Sequence, residues 1–530
     1  MANIRGTAAA DTIRGTSGND NILLFGGEDM ARGGYGDDSV RAGADADLVF
    51  GGDGFDRLFG DGASDRLYGG AGNDRLYGGE GYDTLAGDAG YDLMRAGNGG
   101  DRLYGGAGLD RLYGDAGDDR LFGGDNRDFM FGGDGQDLLY GGYGHDQLYG
   151  SDGNDRLWGG NGNDELMGGT GYDLVYGGVG DDQLFLTAGD GGKLYGGAGD
   201  DLFYGLAPEG AIYSSSIVSF DDGAGIGAVI DMAGGTATRG DQVDVLFRIH
   251  IIEATNGADV IIGGRTDYQD FGLGSTIYAL AGDDTITGTT SPDIIYGGSG
   301  DDRISSYDYQ MLSDSVFGGS GDDFIDWSNQ VYGGDGDDHV RVSRGEEAGF
   351  GYGGSGNDFM EIRCNSMFAY GGEGNDTLRI VEAAEGQNLY GGGGDDTLYG
   401  IASIDFPADD FDLTATLDGG GGVDVLHAGA AGAVFAFAAG DTGTSAARDI
   451  IVGFDADRDR IDVSRIDASA VIEEDQAFAF VGETAVPDVG ELGYYRAGSA
   501  TVVIGNTGTG LFEIELRGFT GTIEADNLLL

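Results

Sequence analysis

The chain has 530 residues, with 93 Asp and Glu against 28 Lys and Arg, a formal charge of -65, 112 glycines, four prolines and one cysteine. So acidic a surface excludes recognition of nucleic acid or anionic lipid through bulk charge, and the lone Cys364 excludes an intramolecular disulfide. The opening MANIRGTAAADTIRG lacks the apolar core of a signal peptide, and no stretch approaches the roughly eighteen apolar residues of a membrane span.

The first block, residues 1 to 204, carries an aspartate at every ninth position from Asp11 to Asp182, an unbroken series of twenty. Its units read YGGAGNDRL at 68 to 76, YGGEGYDTL at 77 to 85 and WGGNGNDEL at 158 to 166. The residue two after each Asp is apolar throughout, for example Leu58, Leu67, Leu76, Leu85, Met94 and Leu103. Three residues therefore form a short strand with that side chain inward, and the other six turn the chain. Two units make one coil, and coils stack as parallel strands. Scattered glycines would suggest disorder, but these recur with the turns. The scarcity of proline suits a ladder that needs its N–H groups.

This nonapeptide resembles the G-G-x-G-x-D-x-U-x repeat of RTX proteins. The resemblance implies an all-β parallel β-helix, or β-roll, with calcium between its turns. The electrostatics of the spacing points the same way. Stacking brings each Asp within about 5 Å of its equivalent one coil away, where like charges repel by about 0.8 kcal/mol in water and more near protein. Some eighteen such neighbours would cost on the order of 15 kcal/mol, comparable to the whole stability of a domain. A hard divalent cation reverses the sign, and carboxylate with carbonyl oxygens is the set that calcium prefers over magnesium. The expected ligands in this block are Asp38, Asp47, Asp56, Asp65, Asp74, Asp83, Asp92, Asp101, Asp110, Asp119, Asp128, Asp137, Asp146, Asp155, Asp164, Asp173, Asp182 and, after a one-residue slip at FLTAGDGGKL (185 to 194), Asp201.

Residues 205 to 277 lose the glycine turns and read as degenerate coils that cap or join two blocks. The second block, 278 to 430, has a different rhythm, because its glycine units are separated by unlike spacers such as RVSRGEEAGFG and RIVEAAEGQNL. One glycine turn therefore recurs per coil rather than two, and calcium is expected along one edge. The candidate ligands here are Asp284, Asp293, Asp302, Asp323, Asp338, Asp358, Asp376, Asp396 and Asp424.

The last region, 431 to 530, abandons the repeat. RDIIVGFDADRDRIDVSRIDA at 448 to 468, GELGYYRAGSATVVIG and FEIELRGFTG resemble the C-terminal region of serralysin-type metalloproteases. That resemblance implies a small β domain with an uncleaved type I secretion signal. Two features depart from the family: GNTGTG (505 to 510) replaces its acidic loop, and Asp526 to Leu530 only approximates its terminus.

Protease activity does not follow. The zinc motif of that family needs clustered histidines, whereas His145, His250, His339 and His427 each stand alone. Paired carboxylates such as Asp118-Asp119, Asp181-Asp182 and Asp301-Asp302 recur at one place in the repeat, while a glycosidase pair is singular. The residue after each inward side chain points outward and is often aromatic, as in Tyr104, Phe122, Tyr140 and Trp158. Such ladders stabilise stacking, with Arg66, Arg75, Arg102 and Arg111 expected over the rings, or offer a surface to glycans or to other copies of the protein.

The sequence thus reads as a secreted calcium-binding protein without a catalytic centre, structural or adhesive at the cell surface or in the extracellular matrix. The expected partners are calcium, a type I secretion apparatus and surface or matrix glycans. The alternative is a non-proteolytic relative or remnant of an RTX enzyme, either a serralysin-like protease or a polysaccharide epimerase or lyase.

Overall fold

The computed structural model describes residues 2–187, 191–206, 216–220, 228–232, 235–239, 242–247, 251–264, 275–289, 291–305, 314–327, 330–342, 349–363, 368–382, 386–401, 414–441, 443–444, 447–466, 468 and 477–530. His250 and Cys364 lie outside the described residues. No helix among these residues is long and apolar enough to cross a membrane. The protein is an all-β parallel β-solenoid that forms two compact units, Met1–Thr255 and Asn256–Leu530.

In the first unit the nine-residue period becomes alternate strands on two faces. Strands such as Arg75–Glu80, Leu93–Asn98 and Arg111–Ala116 stack on one face, and Arg66–Ala71, Thr84–Ala89 and Arg102–Ala107 on the other. Pairing is parallel and in register at eighteen residues, with Leu85 opposite Leu103 and Met94 opposite Leu112. The expected inward residues, from Leu58 through Leu184, are fully buried and make a narrow apolar interior. Across the slip near residue 190 the pairing is kept, with Tyr176 opposite Tyr195.

The sequence reading of 205 to 277 as simple degenerate coils needs amendment. Ser216–Ser219 and Ile251–Glu253 do extend one face in parallel. Between them, however, Val229–Asp231, Thr236–Arg239 and Gln242–Phe247 run antiparallel before the last of these returns to Leu202–Leu206. Gly235, directly before Thr236–Arg239, has φ of +68°, a conformation that glycine adopts without steric cost.

The second unit repeats the coil with unequal edges. Thr285–Thr289, Arg303–Ser305, Phe324–Trp327 and His339–Val342 stack on one face, and Ile294–Ser299, Ser315–Ser320 and Gln330–Asp335 on the other. It closes in a mixed sheet. Glu491–Ala497, Ala500–Asn506 and Leu511–Arg517 form an antiparallel meander, and Leu511–Arg517 also pairs in parallel with Asp449–Val452. Arg448 ties the seam by ion pairs to Glu513 (3.1 Å) and Glu515 (2.8 Å). Leu528–Leu529 dock in parallel on Ile461 and Asp462.

Candidate metal centre

Each repeat ends its turn with an aspartate whose side chain folds back under the turn rather than out to water. In the first unit these form two rows. One runs Asp20, Asp38, Asp56 and so on through Asp182 and Asp201 to Asp244, the other from Asp11 through Asp29 and Asp47 to Asp173. Along both rows the backbone N–H of one Asp donates to Oδ1 of the next, as in Asp74 to Asp92 at 2.7 Å and Asp101 to Asp119 at 2.6 Å. Among the described residues the second unit has one long row of this kind, from Asp259 through Asp284, Asp302, Asp323, Asp338, Asp358, Asp376, Asp396 and Asp424 to Asp449, beside a short step from the Asp293 N–H to Asp314 Oδ1 (2.8 Å).

The other oxygen defines the site. Oδ2 of Asp38, Asp74, Asp119, Asp164 and Asp201, and of Asp284, Asp338, Asp376 and Asp424 in the second unit, is buried and accepts no hydrogen bond. Asp173 apart, the same holds for the other expected ligands of these rows; Asp173 itself accepts the Asp155 N–H at Oδ1 (2.9 Å) as its row requires, and Asp293 lies outside the long rows. A buried carboxylate oxygen with no donor is costly. Each faces a small cradle. A Cβ placed on Gly69 would lie 2.4 Å from Asp74 Oδ2 and 2.9 Å from the Gly87 carbonyl oxygen of the next coil. Glycine is therefore required there, and what converges on the space is oxygen.

Burial is the main reason these carboxyls hold their protons far above the usual range. Asp101 is pushed up to about 6, Asp74 to about 7 and Asp119 to about 8. The amide bond from the preceding Asp opposes this without cancelling it, and neighbouring carboxylates add to it. A cation of two positive charges in the cradle would remove the conflict. Carboxylate and carbonyl oxygens suit a hard, oxygen-seeking ion such as calcium. Among the described residues no three His, Cys, Asp or Glu side chains converge on a point, so the donor set must include main-chain carbonyls.

Asp293 differs from every other expected ligand. Its Oδ2 accepts the Thr289 N–H at 2.7 Å, and its Oδ1 accepts both the Thr289 hydroxyl and the Ser275 N–H. At the start of the chain Asp20 is likewise bonded by Thr16, whose amide is the largest cause holding its carboxyl below the usual range. Conversely, Asp244 and Asp449 continue the rows although no Gly-x-Asp turn marked them as ligands, and Asp29 and Asp259, each two residues after a glycine, belong to the rows as well. The Asp-x-apolar step, as in Asp244-Val-Leu and Asp449-Ile-Ile, was the signal that could have found them.

The paired carboxylates divide their work. Asp119 lies in the row, while exposed Asp118 accepts the Gln136 N–H of the next coil. The described histidines are structural neighbours: His145 Nδ1 accepts the Asn163 N–H at 2.7 Å, His339 sits edge-on between Phe324 and Phe359, and His427 stacks on Tyr399.

The outward aromatics stack face to face. Tyr104, Phe122, Tyr140, Trp158, Tyr176 and Tyr195 form one series with centroid separations of 4.5 to 5.3 Å. Their faces are spent on one another, which favours the stabilising role of the ladder. Among the described residues Arg66, Arg75, Arg102 and Arg111 do not lie over rings as expected; Arg32 over Phe50 and Arg303 over Phe324 do. Guanidinium groups cannot insert where ring already covers ring.

A family model described as the RTX calcium-binding nonapeptide repeat matches residues 3–24, 25–58, 59–94, 95–130, 122–157, 131–166, 158–191 and 193–207 in the first unit. In the second it matches 278–307, 313–326, 328–346, 368–379, 388–402 and 416–431, so that more than half of the chain is covered. No curated protein matches the chain.

Proposed function

The chain belongs to the RTX calcium-binding nonapeptide repeat family, and from that premise we propose that it is a secreted structural or adhesive protein whose folding is switched on by calcium outside the cell. One observation carries this reading: the rows of buried Asp oxygens without a hydrogen-bond donor, most of them beside a main-chain carbonyl of the next coil. Asp Oδ2 and those carbonyls would hold the ion. The charge it brings offsets burial and repulsion that otherwise oppose the fold. Such a chain stays expanded where free calcium is far below the roughly 0.1 to 1 mM affinities of extracellular calcium modules, and folds where it exceeds them.

Export through a type I apparatus fits that restraint, with the serralysin-like region 431 to 530 as its address. The three described histidines, each engaged with neighbours of the coil, support a role without catalysis. Adhesion to surface or matrix glycans would use the turn tips rather than the ladders, since Tyr82, Tyr91 and Tyr143 are 72, 60 and 65% exposed. Far-ultraviolet circular dichroism during calcium titration of the chelated protein tests the central reading. A cooperative gain of strand signal is expected. A full strand spectrum in chelator at neutral pH would overturn it.

A further inference from the structure

Most turns of this protein place a residue of left-handed conformation directly after the first glycine. Gly70, Gly106 and Gly124 have φ of +111°, +108° and +115° there. The geometry persists when that residue is not glycine: Asp61, Asp88, Asp115 and Ser151 hold φ of +70°, +71°, +70° and +88°. In every one of these turns the following row aspartate, such as Asp65, Asp92, Asp119 or Asp155, keeps an Oδ2 with no donor.

Threonine at the same place behaves differently. Thr7, Thr16 and Thr289 follow Gly6, Gly15 and Gly288, and none has positive φ. The physical reason is the branched Cβ, which makes the left-handed region a true outlier for Thr while a serine can still enter it. With the backbone turned the other way, the Thr N–H points at its own aspartate four residues on. Thr7 N donates to Asp11 Oδ2 at 2.5 Å, Thr16 N to Asp20 Oδ2 at 2.5 Å, and Thr289 N to Asp293 Oδ2 at 2.7 Å. The hydroxyl adds a second bond, at 3.0, 2.8 and 2.8 Å. It also accepts the N–H two residues on, from Ala9, Gly18 and Ser291.

We propose that Gly-Thr turns are metal-free turns, in which the threonine amide and hydroxyl supply to Asp11, Asp20 and Asp293 what calcium supplies to the aspartates of the other turns. The distinction is carried by one side chain. It removes Asp293 from the ligand set and ends the calcium rows at defined places, the two repeats of the first coil and the weaker edge of the second unit. The inference rests on the calcium reading of the remaining turns.

The test counts calcium bound to the full-length holoprotein by equilibrium dialysis. Thr16→Gly and Thr289→Gly should each raise the count by about one ion, and Ser151→Thr should lower it by about one at Asp155. Counts unchanged by both kinds of substitution, or lowered by Thr→Gly, would overturn the proposal. A wild-type protein that takes up no calcium would instead sink the underlying calcium reading. Should Ser151→Thr fail to fold, the two Thr→Gly variants decide alone, since they introduce the residue that most turns already carry.

Discussion

The amide of Asp101 donates to Oδ1 of Asp119 one coil away at 2.6 Å, while Oδ2 of the same Asp119 has no donor at all. One carboxylate therefore does two jobs. Its first oxygen completes the backbone bonding of the neighbouring coil, and its second remains for an ion. Removing the side chain and removing only its charge should have different consequences.

Asp119→Ala should be the harsher change. It strands the Asp101 N–H, and a buried unpaired donor costs about 1 to 3 kcal/mol in addition to the lost ligand. Asp119→Asn keeps an acceptor for that amide. In calcium both variants should melt earlier than wild type, the alanine more so. In chelator the asparagine variant should be the more stable of the asparagine and wild-type proteins, because a buried charge is gone. Thermal melts in the two conditions check the crossover.

Acid should partly replace calcium. Burial raises the folded-state values of Asp101, Asp74 and Asp119 to about 6, 7 and 8 from an ordinary 3.8. Groups raised on folding bind more protons in the folded form, so their contribution is complete below the unfolded value and is lost as pH rises through the folded ones. The chelated protein should therefore show strand signal near about pH 4 and lose it by about pH 8. Calcium taken up by the acid-folded form, near about pH 5, should release protons, which a pH-stat would record. A chelated protein whose strand signal grows with pH would contradict the assignment.

Metal loading should differ between the two blocks. Among the described residues the first has two long rows and the second one, so calcium bound per residue in the isolated 1 to 204 and 278 to 430 segments should be clearly higher in the first. Asp376→Ala should accordingly remove a larger share of its block's metal than Asp119→Ala. Equal loading per residue would remove the distinction.

Export should depend on the end of the chain. Leu528–Leu529 are paired with Ile461 and Asp462 in the folded protein, and Asn527 Nδ2 donates to the Ala456 carbonyl at 2.6 Å. A signal there is readable only before folding, which low internal calcium would ensure. Deleting the final fifty residues should retain the protein in the cytoplasm, whereas removing Met1 to Asn19 should leave secretion intact. Appearance of the C-terminally truncated form in the medium would end the type I assignment.

The coil itself was written in the sequence. A nine-residue period with one apolar side chain per unit admits stacking at eighteen residues, and the burial of Leu58 through Leu184 follows from it. The unequal edges of the second block were legible in its spacers for the same reason. Local patterns could not disclose which oxygens would be satisfied, because that depends on atoms a coil away or on a turn's handedness. Asp293 and Asp302 follow different letters, Gly288-Thr289 against Gly297-Gly298, yet only the structure shows that the first is bonded by Thr289 while the second carries an oxygen without a donor. Asp244 and Asp449 join rows through neighbours 43 and 25 residues distant. Repulsion between stacked aspartates was foreseeable from spacing alone. Only the tertiary structure decided that each carboxylate is half engaged by the backbone of the coil before it, since hydrogen bonding is set by position in space while periodicity sets only the order in which positions arrive.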